Sequence, residues 1–147
     1  MSVRKVVIDS SVALKWRLRD EDALDEADAL LDDVLAGKVE LLTPSLFDYE
    51  ITSALKMAVV RSRLSEIDAQ SALADYWAYK IERRDFFSLQ ALAFQLANQY
   101  QRSTYDATYL ALAQSEGVDL LTGDKRLFNA VNPVLNWVKW IGDYQSS

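Results

Sequence analysis

The sequence contains no histidine and no cysteine among its 147 residues. These absences exclude Ser-His-Asp and Cys-His nucleophilic sites, histidine general bases, and zinc sites built from imidazole or thiolate ligands. Any catalysis must therefore use carboxylates, hydroxyls, lysine, arginine, or a hard metal ion held by oxygen atoms. The lack of cysteine also excludes disulfide bonds and favours a cytoplasmic protein.

Glycine and proline are also scarce, with four and two residues. This scarcity favours long helices with short connections and reveals no interdomain linker, so we expect a single domain over residues 1–147. No apolar run approaches the ~18 residues of a membrane span. Only three apolar residues separate Lys5 from Asp9, so the sequence predicts no signal peptide either.

Short apolar runs alternate with segments of helical periodicity along the chain. This alternation predicts an α/β fold in three layers, with a mostly parallel central sheet flanked by helices. Strands are predicted at 6–8, 39–42, 120–122 and 136–142. Helices are predicted at 23–35, 45–63 (opened by Pro44), 66–84, 89–100, 104–116 and 125–131.

Two aspartates follow predicted strands at the point where each strand ends. Asp9 follows the first strand, and Asp124 follows the strand at 120–122. Because ligand sites of parallel sheets lie beyond the carboxyl ends of the strands, we expect both side chains at the same edge. Each aspartate has an alternative role as a helix cap.

Two further acids lie on predicted helix faces that are otherwise apolar. Glu50 shares its face with Phe47, and Asp106 shares its face with Tyr109 and Leu110. An apolar environment is a poor location for an unpaired carboxylate. Alternatively, Asp106 is a first-turn acid that interacts with the helix dipole, and Glu50 pairs with a nearby cation.

The joint placement of these four acids favours a functional site. Four converging carboxylates repel one another unless they are protonated or neutralised. A divalent cation resolves this repulsion, and ligation by oxygen alone selects Mg²⁺ or Mn²⁺. The chemistry that this arrangement best supports is metal-dependent hydrolysis of phosphodiester bonds.

Three segments that contain these acids resemble PIN-domain proteins, specifically the VapC-type toxin ribonucleases of bacterial toxin–antitoxin pairs. The resemblance covers essentially the whole chain, and all four acids are present in the order of the family. The segments are "VVIDSSVALKW" with Asp9, "PSLFDYEITSAL" with Glu50, and "YDATYLALAQSEGVDLLTGDKRL" with Asp106 and Asp124.

The resemblance implies a PIN-like fold, one or two Mg²⁺ or Mn²⁺ ions, and endonucleolytic cleavage of RNA. It also implies a homodimer and a small VapB-type antitoxin that blocks the site, often by presenting a cation to the acids. Asp9, Asp106 and Asp124 would ligate metal, directly or through water. Glu50 would hold or polarise a metal-bound water.

Hydroxyls and basic residues near the acids are further candidates. The hydroxyls of Ser11 and Thr122 would orient the acids, although a cap or a strand-end hydrogen bond is the alternative role. The net charge of −6 argues against a nucleic-acid partner, since such partners favour a basic face. Basic residues that would hold the RNA backbone, unless they are ordinary surface charges, are Lys15, Arg17, Arg19, Lys125 and Arg126.

An aromatic run, "DYWAYKIERRDFF" (75–87), has helical spacing and is expected to pack in the core. An exposed patch for a dimer or antitoxin is the alternative.

Other phosphoryl-transfer classes lack the residues they require. Haloacid-dehalogenase-like phosphatases need a second aspartate where Ser11 stands, receiver domains need an acid pair at the strand end, and there is no glycine-rich phosphate loop. Two alternatives remain open: an RNA- or peptide-binding module without nuclease activity, and a nuclease that acts on DNA.

Overall fold

A computed structural model describes residues 3–146, which form a five-stranded sheet with helices on both faces. The strands are β1 (Arg4–Ile8), β2 (Val39–Pro44), β3 (Glu82–Arg84), β4 (Asp119–Thr122) and β5 (Val138–Trp140). The helices are α1 (Ser10–Leu14), α2 (Leu24–Leu35), α3 (Leu46–Val60), α4 (Glu66–Ala78), α5 (Gln90–Tyr100), α6 (Thr104–Glu116) and α7 (Lys125–Val131).

All four strand pairings of the sheet are parallel, in the order β3-β2-β1-β4-β5. The chain passes from β1 outward through β2 and β3 on one side, and it then returns to β4 and β5 on the other side. The order therefore reverses between β1 and β4, where Val7 pairs with Leu120. In open α/β sheets, ligands bind in the crevice at such a switch point.

The strand side chains alternate between two separate cores, as the period of two requires. Val6 and Ile8 pack with α1, α2, α3 and α4 on one face. Val7 lies between them in sequence and packs with α5, α6 and α7 on the other face. These two cores confirm the predicted three-layer α/β fold.

Helix α6 is buried on nearly all sides and carries one of the predicted site acids. The Ser103 side chain accepts a hydrogen bond from the Asp106 backbone N–H and caps its start, and Gly117 ends it with a left-handed φ of +67°. Every residue from Ala107 to Ala113 is buried. A helix that is apolar all round is typical of a core position, so Asp106 is held on a rigid element.

The structure corrects the prediction of one helix over residues 66–84. Helix α4 ends at Ala78, and Lys80 takes a left-handed φ of +57° that turns the chain into β3. The edge strand β3 consists of three charged residues, which edge strands tolerate but apolar patterns cannot reveal. Pro44 does not open a helix either, because it is the last residue of β2 and α3 begins at Leu46.

The aromatic run at 75–87 divides between core and surface. Tyr76 is buried, and its hydroxyl donates to the Ala13 carbonyl at 2.6 Å. Trp77 and Phe87 are about four-fifths exposed. Core packing was therefore the right expectation for only part of the run.

In the described part of the chain, no helix is long and apolar enough to cross a membrane.

We expect Leu110→Ala to lower the free energy of unfolding by about 2 to 5 kcal/mol, because it leaves a cavity beside the sheet. Leu110 is fully buried in the middle of α6. Leu35→Ala is the control, since Leu35 is 64% exposed at the end of α2 and its truncation should change stability by less than about 0.5 kcal/mol. Urea unfolding of both variants measures the difference; equal losses would contradict the buried position of α6.

Candidate active site

Asp9 occupies the centre of the sheet at the switch point. It directly follows β1, and its side chain is 6% exposed. Asp9 stands at the N-cap position of α1, yet its carboxylate makes no capping hydrogen bond. Instead, Oδ1 accepts a hydrogen bond from the Ser11 hydroxyl, and Oδ2 accepts one from the Thr122 hydroxyl at 2.5 Å. The alternative role of Asp9 as a side-chain cap is therefore wrong.

The same two hydroxyls connect Asp9 to the loop after β4. The Ser11 hydroxyl accepts from the Gly123 backbone N–H at 2.8 Å, and the Thr122 hydroxyl accepts from the Asp124 N–H at 3.0 Å. Each hydroxyl thus accepts from the loop and donates to one oxygen of Asp9. This arrangement fixes the start of α7 against the end of β1.

Asp124 caps helix α7 and lies where the sequence predicts a site acid. Its Oδ1 accepts hydrogen bonds from the backbone N–H groups of Arg126 at 2.9 Å and Leu127 at 3.3 Å. Only one oxygen is used, so Oδ2 has no hydrogen bond among the described residues. The capping interaction orients the carboxylate at the carboxyl edge of the sheet.

Glu50 lies on α3 and is held by hydroxyls rather than by a cation. Its Oε1 accepts hydrogen bonds from the Tyr109 hydroxyl at 2.5 Å and the Ser10 hydroxyl at 3.3 Å. The alternative of an ion pair with a nearby cation is wrong within the described residues. Burial raises the pKa of Glu50, the two hydroxyls oppose that increase, and the Asp106 charge adds to it.

Asp106 lies at the start of α6 beside an arginine. Arg102 donates a hydrogen bond to Asp106 Oδ2 at 3.2 Å. Burial raises the pKa of Asp106, the Arg102 guanidinium lowers it, and the Asp124 charge raises it further. The acid therefore sits between one cation and another carboxylate.

Three of the four acids, Asp9, Glu50 and Asp106, have pKa values that respond to the charge of another acid of the set. Burial raises the pKa of Asp9 to about 6, against the lowering effect of its two hydroxyl partners, and the charges of Asp124 and Glu50 add to the increase. Glu50 in turn responds to Asp106, and Asp106 responds to Asp124. The acids from β1, α3, α6 and the β4–α7 loop therefore form one electrostatic cluster.

The donor set fits a hard divalent cation. All candidate ligands are oxygen atoms, and mutual repulsion of the carboxylates favours a bound positive charge. Within residues 3–146, no group of three or more acidic side chains forms a ready metal-binding shell. Mg²⁺ usually keeps several waters and binds one or two carboxylates directly, so it does not require a shell of three acidic side chains.

Lys15 is one of the basic residues predicted to contact RNA, and the structure places its side chain inside the protein. Its side chain is buried, with Nζ donating to the Asp22 carbonyl at 2.9 Å and to Asp22 Oδ1 at 2.7 Å. The aliphatic part of Lys15 packs against the loop at Gly123. The contact is so close that a Cβ built on this glycine would lie 2.7 Å from Lys15 Cε. Lys15 therefore has a structural role.

Arg17 and Arg19 already bind carboxylates. Arg17 pairs with Asp75, and Arg19 donates two hydrogen bonds of 2.8 Å to Asp28. A phosphate would have to displace these acids. By contrast, the side chains of Lys125 and Arg126 are exposed next to Asp124 and make no ion pair among the described residues.

A cleft of about 670 Å³ opens beside Glu50. Its lining includes Ser10 and two tyrosines, Tyr49 and Tyr105, which are 77% and 61% exposed. Exposed aromatic rings beside a polar site are surfaces on which nucleobases stack. The cleft thus gives an extended ligand access to Glu50.

Sequence reasoning missed three residues that contact the acids: Ser10, Arg102 and Tyr109. The spacing of the last two is a usable signal, since Arg102 precedes Asp106 by four residues and Tyr109 follows it by three. No local pattern reveals that Tyr109 reaches Glu50, because the two are 59 residues apart in sequence.

The raised pKa of Asp9 predicts a pH-dependent loss of stability in the presence of a chelator. The folded state holds this proton more tightly than the unfolded chain, so its stabilising effect is complete below pH 4 and is lost as pH rises through about 6. Two pKa units correspond to about 3 kcal/mol. The free energy of unfolding of Asp9→Asn, taken relative to that of wild type, should therefore increase by about 3 kcal/mol between pH 4 and pH 7.

Denaturant unfolding of wild type and Asp9→Asn at a series of pH values measures this gain. Asp32→Asn, which alters an exposed carboxylate on α2, is the matched control. A stability difference between wild type and Asp9→Asn that does not change with pH would contradict the burial of a titrating Asp9.

Comparisons with known proteins identify relatives of the chain. A model of the PIN domain matches residues 6–132. Ribonuclease VapC1 of Mycobacterium tuberculosis is 39% identical over 84 residues, which are 57% of this chain and 62% of that protein, less than two thirds of its length. VapC ribonuclease Mb0985 of Mycobacterium bovis is 31% identical over 122 residues, 83% of this chain and 87% of that protein.

Solved structures share the fold. PAE2754 from Pyrobaculum aerophilum superposes with a TM-score of 0.68 at 20% identity, covering 96% of this chain and 92% of that one. A toxin–antitoxin complex from Klebsiella pneumoniae gives a TM-score of 0.60 at 17% identity, covering 91% of this chain and 95% of that one.

The family match includes all four acids and confirms the resemblance inferred from the sequence. The chain belongs to the PIN domain family.

Proposed function

We propose that this protein is a Mg²⁺- or Mn²⁺-dependent endoribonuclease and the toxin of a VapBC-type toxin–antitoxin pair. The observation that carries the proposal is the electrostatic cluster of four carboxylates at the switch point of the parallel sheet. Oxygen ligands and mutual repulsion are the properties of a site that binds a hard cation.

RNA as substrate and an antitoxin as partner are supported by the relatives. The curated relatives are named ribonucleases, and one structural neighbour is a toxin–antitoxin complex. By analogy, this chain would act on cellular RNA in the cytoplasm, form a homodimer, and be inhibited by a small VapB-type antitoxin that covers the acids.

Three acids would hold the metal ion. Asp9, Asp106 and Asp124 come from different elements, and each has its orientation set by hydrogen bonds. The Ser11 and Thr122 hydroxyls would keep Asp9 in place. When bound, the ion supplies positive charge that offsets the charge developing on the phosphate oxygens.

Glu50 would act on the attacking water. Its Oε1 is occupied by hydroxyl donors, so Oε2 would accept the water proton as general base. The water oxygen forms a bond to phosphorus, one phosphodiester P–O bond breaks, and the leaving alkoxide takes a proton from solvent. The raised pKa of Glu50 would improve its strength as a base.

Cleavage of total cellular RNA by the purified protein tests the proposal directly. We expect discrete fragments with Mg²⁺ or Mn²⁺ and none with chelator. Asp106→Asn should lower the rate by roughly 100-fold or more, because a ligand charge is lost. Asp119→Asn is the matched control with full activity expected, since Asp119 begins β4 at the opposite end of the strand.

Other outcomes favour the alternatives. No cleavage by a folded, metal-loaded protein freed of any bound antitoxin would favour an RNA- or peptide-binding module. Cleavage of single-stranded DNA of matched sequence at the same rate would favour a nuclease without specificity for RNA. Full activity of Asp106→Asn would place the catalytic site elsewhere.

Two exposed cations, Lys125 and Arg126, would contact the RNA backbone. We expect the double variant Lys125→Gln, Arg126→Gln to weaken RNA binding and to flatten its dependence on salt, because fewer counterions are released. RNA affinity measured between about 50 and 200 mM salt gives the slope of affinity against salt concentration. Affinities that depend on phosphate contacts change strongly over this range.

The matched control neutralises Arg17 and Arg19, which are paired with Asp75 and Asp28. Because these charges are already compensated, that double variant should keep the wild-type salt slope. If the Lys125, Arg126 variant keeps the wild-type salt slope, those two residues do not contact RNA. The same conclusion follows if the control variant loses more of its salt dependence.

A further inference from the structure

The hydroxyl of the buried Tyr109 donates to a carboxylate that belongs to the candidate site. The side chain is 3% exposed on α6, and its hydroxyl donates to Glu50 Oε1 on α3 at 2.5 Å. A buried tyrosine hydroxyl needs a partner, but a backbone carbonyl is sufficient. Tyr76 shows this simpler solution, because its hydroxyl donates to the Ala13 carbonyl.

The contact restrains one oxygen of Glu50 and leaves the other available. Ser10 donates to the same Oε1 at 3.3 Å, so the hydroxyls of α1 and α6 converge on a single oxygen. Oε2 accepts no hydrogen bond among residues 3–146. A glutamate side chain has several rotatable bonds, so two donors on one oxygen reduce the positions that the other oxygen samples.

Tyr109 also connects two of the site acids. It lies three residues after Asp106 on α6, which places both side chains on the same side of the helix. The charge of Asp106 acts on Glu50, so the two carboxylates are neighbours. The Tyr109 hydroxyl is therefore a direct connection between the helix that carries Asp106 and the carboxylate of Glu50.

We propose that Tyr109 is a positioning residue that holds Glu50 beside Asp106 and keeps Oε2 free for the water and the metal site. This inference rests on the proposed function. It assigns to Tyr109 an effect on the reaction that operates through Glu50 and requires no contact with RNA. The hydroxyl is the only group involved, so phenylalanine is the informative replacement.

Tyr109→Phe should lower kcat for RNA cleavage by about tenfold or more and leave KM unchanged, as removal of a group that orients a site residue does. Because Glu50 would hold a metal-bound water, Tyr109→Phe should also weaken Mn²⁺ binding by about tenfold in calorimetric titration. Tyr144→Phe is the matched control. The Tyr144 hydroxyl donates to the buried Asp33 carboxylate at 2.5 Å, so the substitution removes the same kind of bond elsewhere.

A double-mutant cycle separates positioning from structure. If Tyr109 acts through Glu50, Tyr109→Phe should cause no further loss in a Glu50→Gln background, in kcat or in Mn²⁺ affinity. A purely structural role would produce the same loss in both backgrounds, together with a lower Tm. All variants are compared by thermal unfolding to confirm that they fold.

The outcomes are distinct for the two proposals. A tenfold loss in kcat or Mn²⁺ affinity that is absent from Tyr144→Phe and disappears with Glu50→Gln supports the role of Tyr109. No loss, or a loss that persists with Glu50→Gln, overturns it. If wild type binds Mn²⁺ but cleaves no RNA, the proposed function fails and Mn²⁺ affinity alone decides the role of Tyr109. A wild type without Mn²⁺ binding overturns both.

Discussion

The burial of one carboxylate at the end of the central strand is the constraint on which the site depends. Asp9 keeps its two oxygens between the hydroxyls of Ser11 and Thr122, and these hydroxyls bind the backbone of the next loop. The position of Asp124 therefore follows from the position of Asp9. Burial raises the pKa of Asp9, so the ionised carboxylate is a destabilising group at the centre of the sheet.

The topology of the sheet explains how distant acids come together. All strands are parallel, so the residues that follow β1 and β4 lie at one edge of the sheet, and these strands flank the switch point. Helices α3 and α6 pack on opposite faces and bring Glu50 and Asp106 to the same edge. Hydrogen bonds to each of the four carboxylates fix these charges in place.

Proximity in sequence to Asp9 did not reveal the partners of the nearby basic residues. Lys15, Arg17 and Arg19 follow Asp9 closely, yet all three side chains pair with carboxylates of the surrounding structure. Arg102 was not predicted, although it binds Asp106 within one helical turn. Long basic side chains reach several ångströms from the backbone, so their partners depend on which elements pack nearby rather than on their neighbours in sequence.

The sequence by itself determined the α/β class, the strands at the sheet centre and the family of the chain, and it predicted the four acids. These features depend on local periodicity and on residue types whose chemistry excludes alternatives, such as the absence of histidine and cysteine. Only the tertiary structure decided that Glu82–Arg84 forms an edge strand, that Lys15 is buried, and that Tyr109 binds Glu50. Each of these depends on contacts between residues far apart in the chain, which no local pattern encodes.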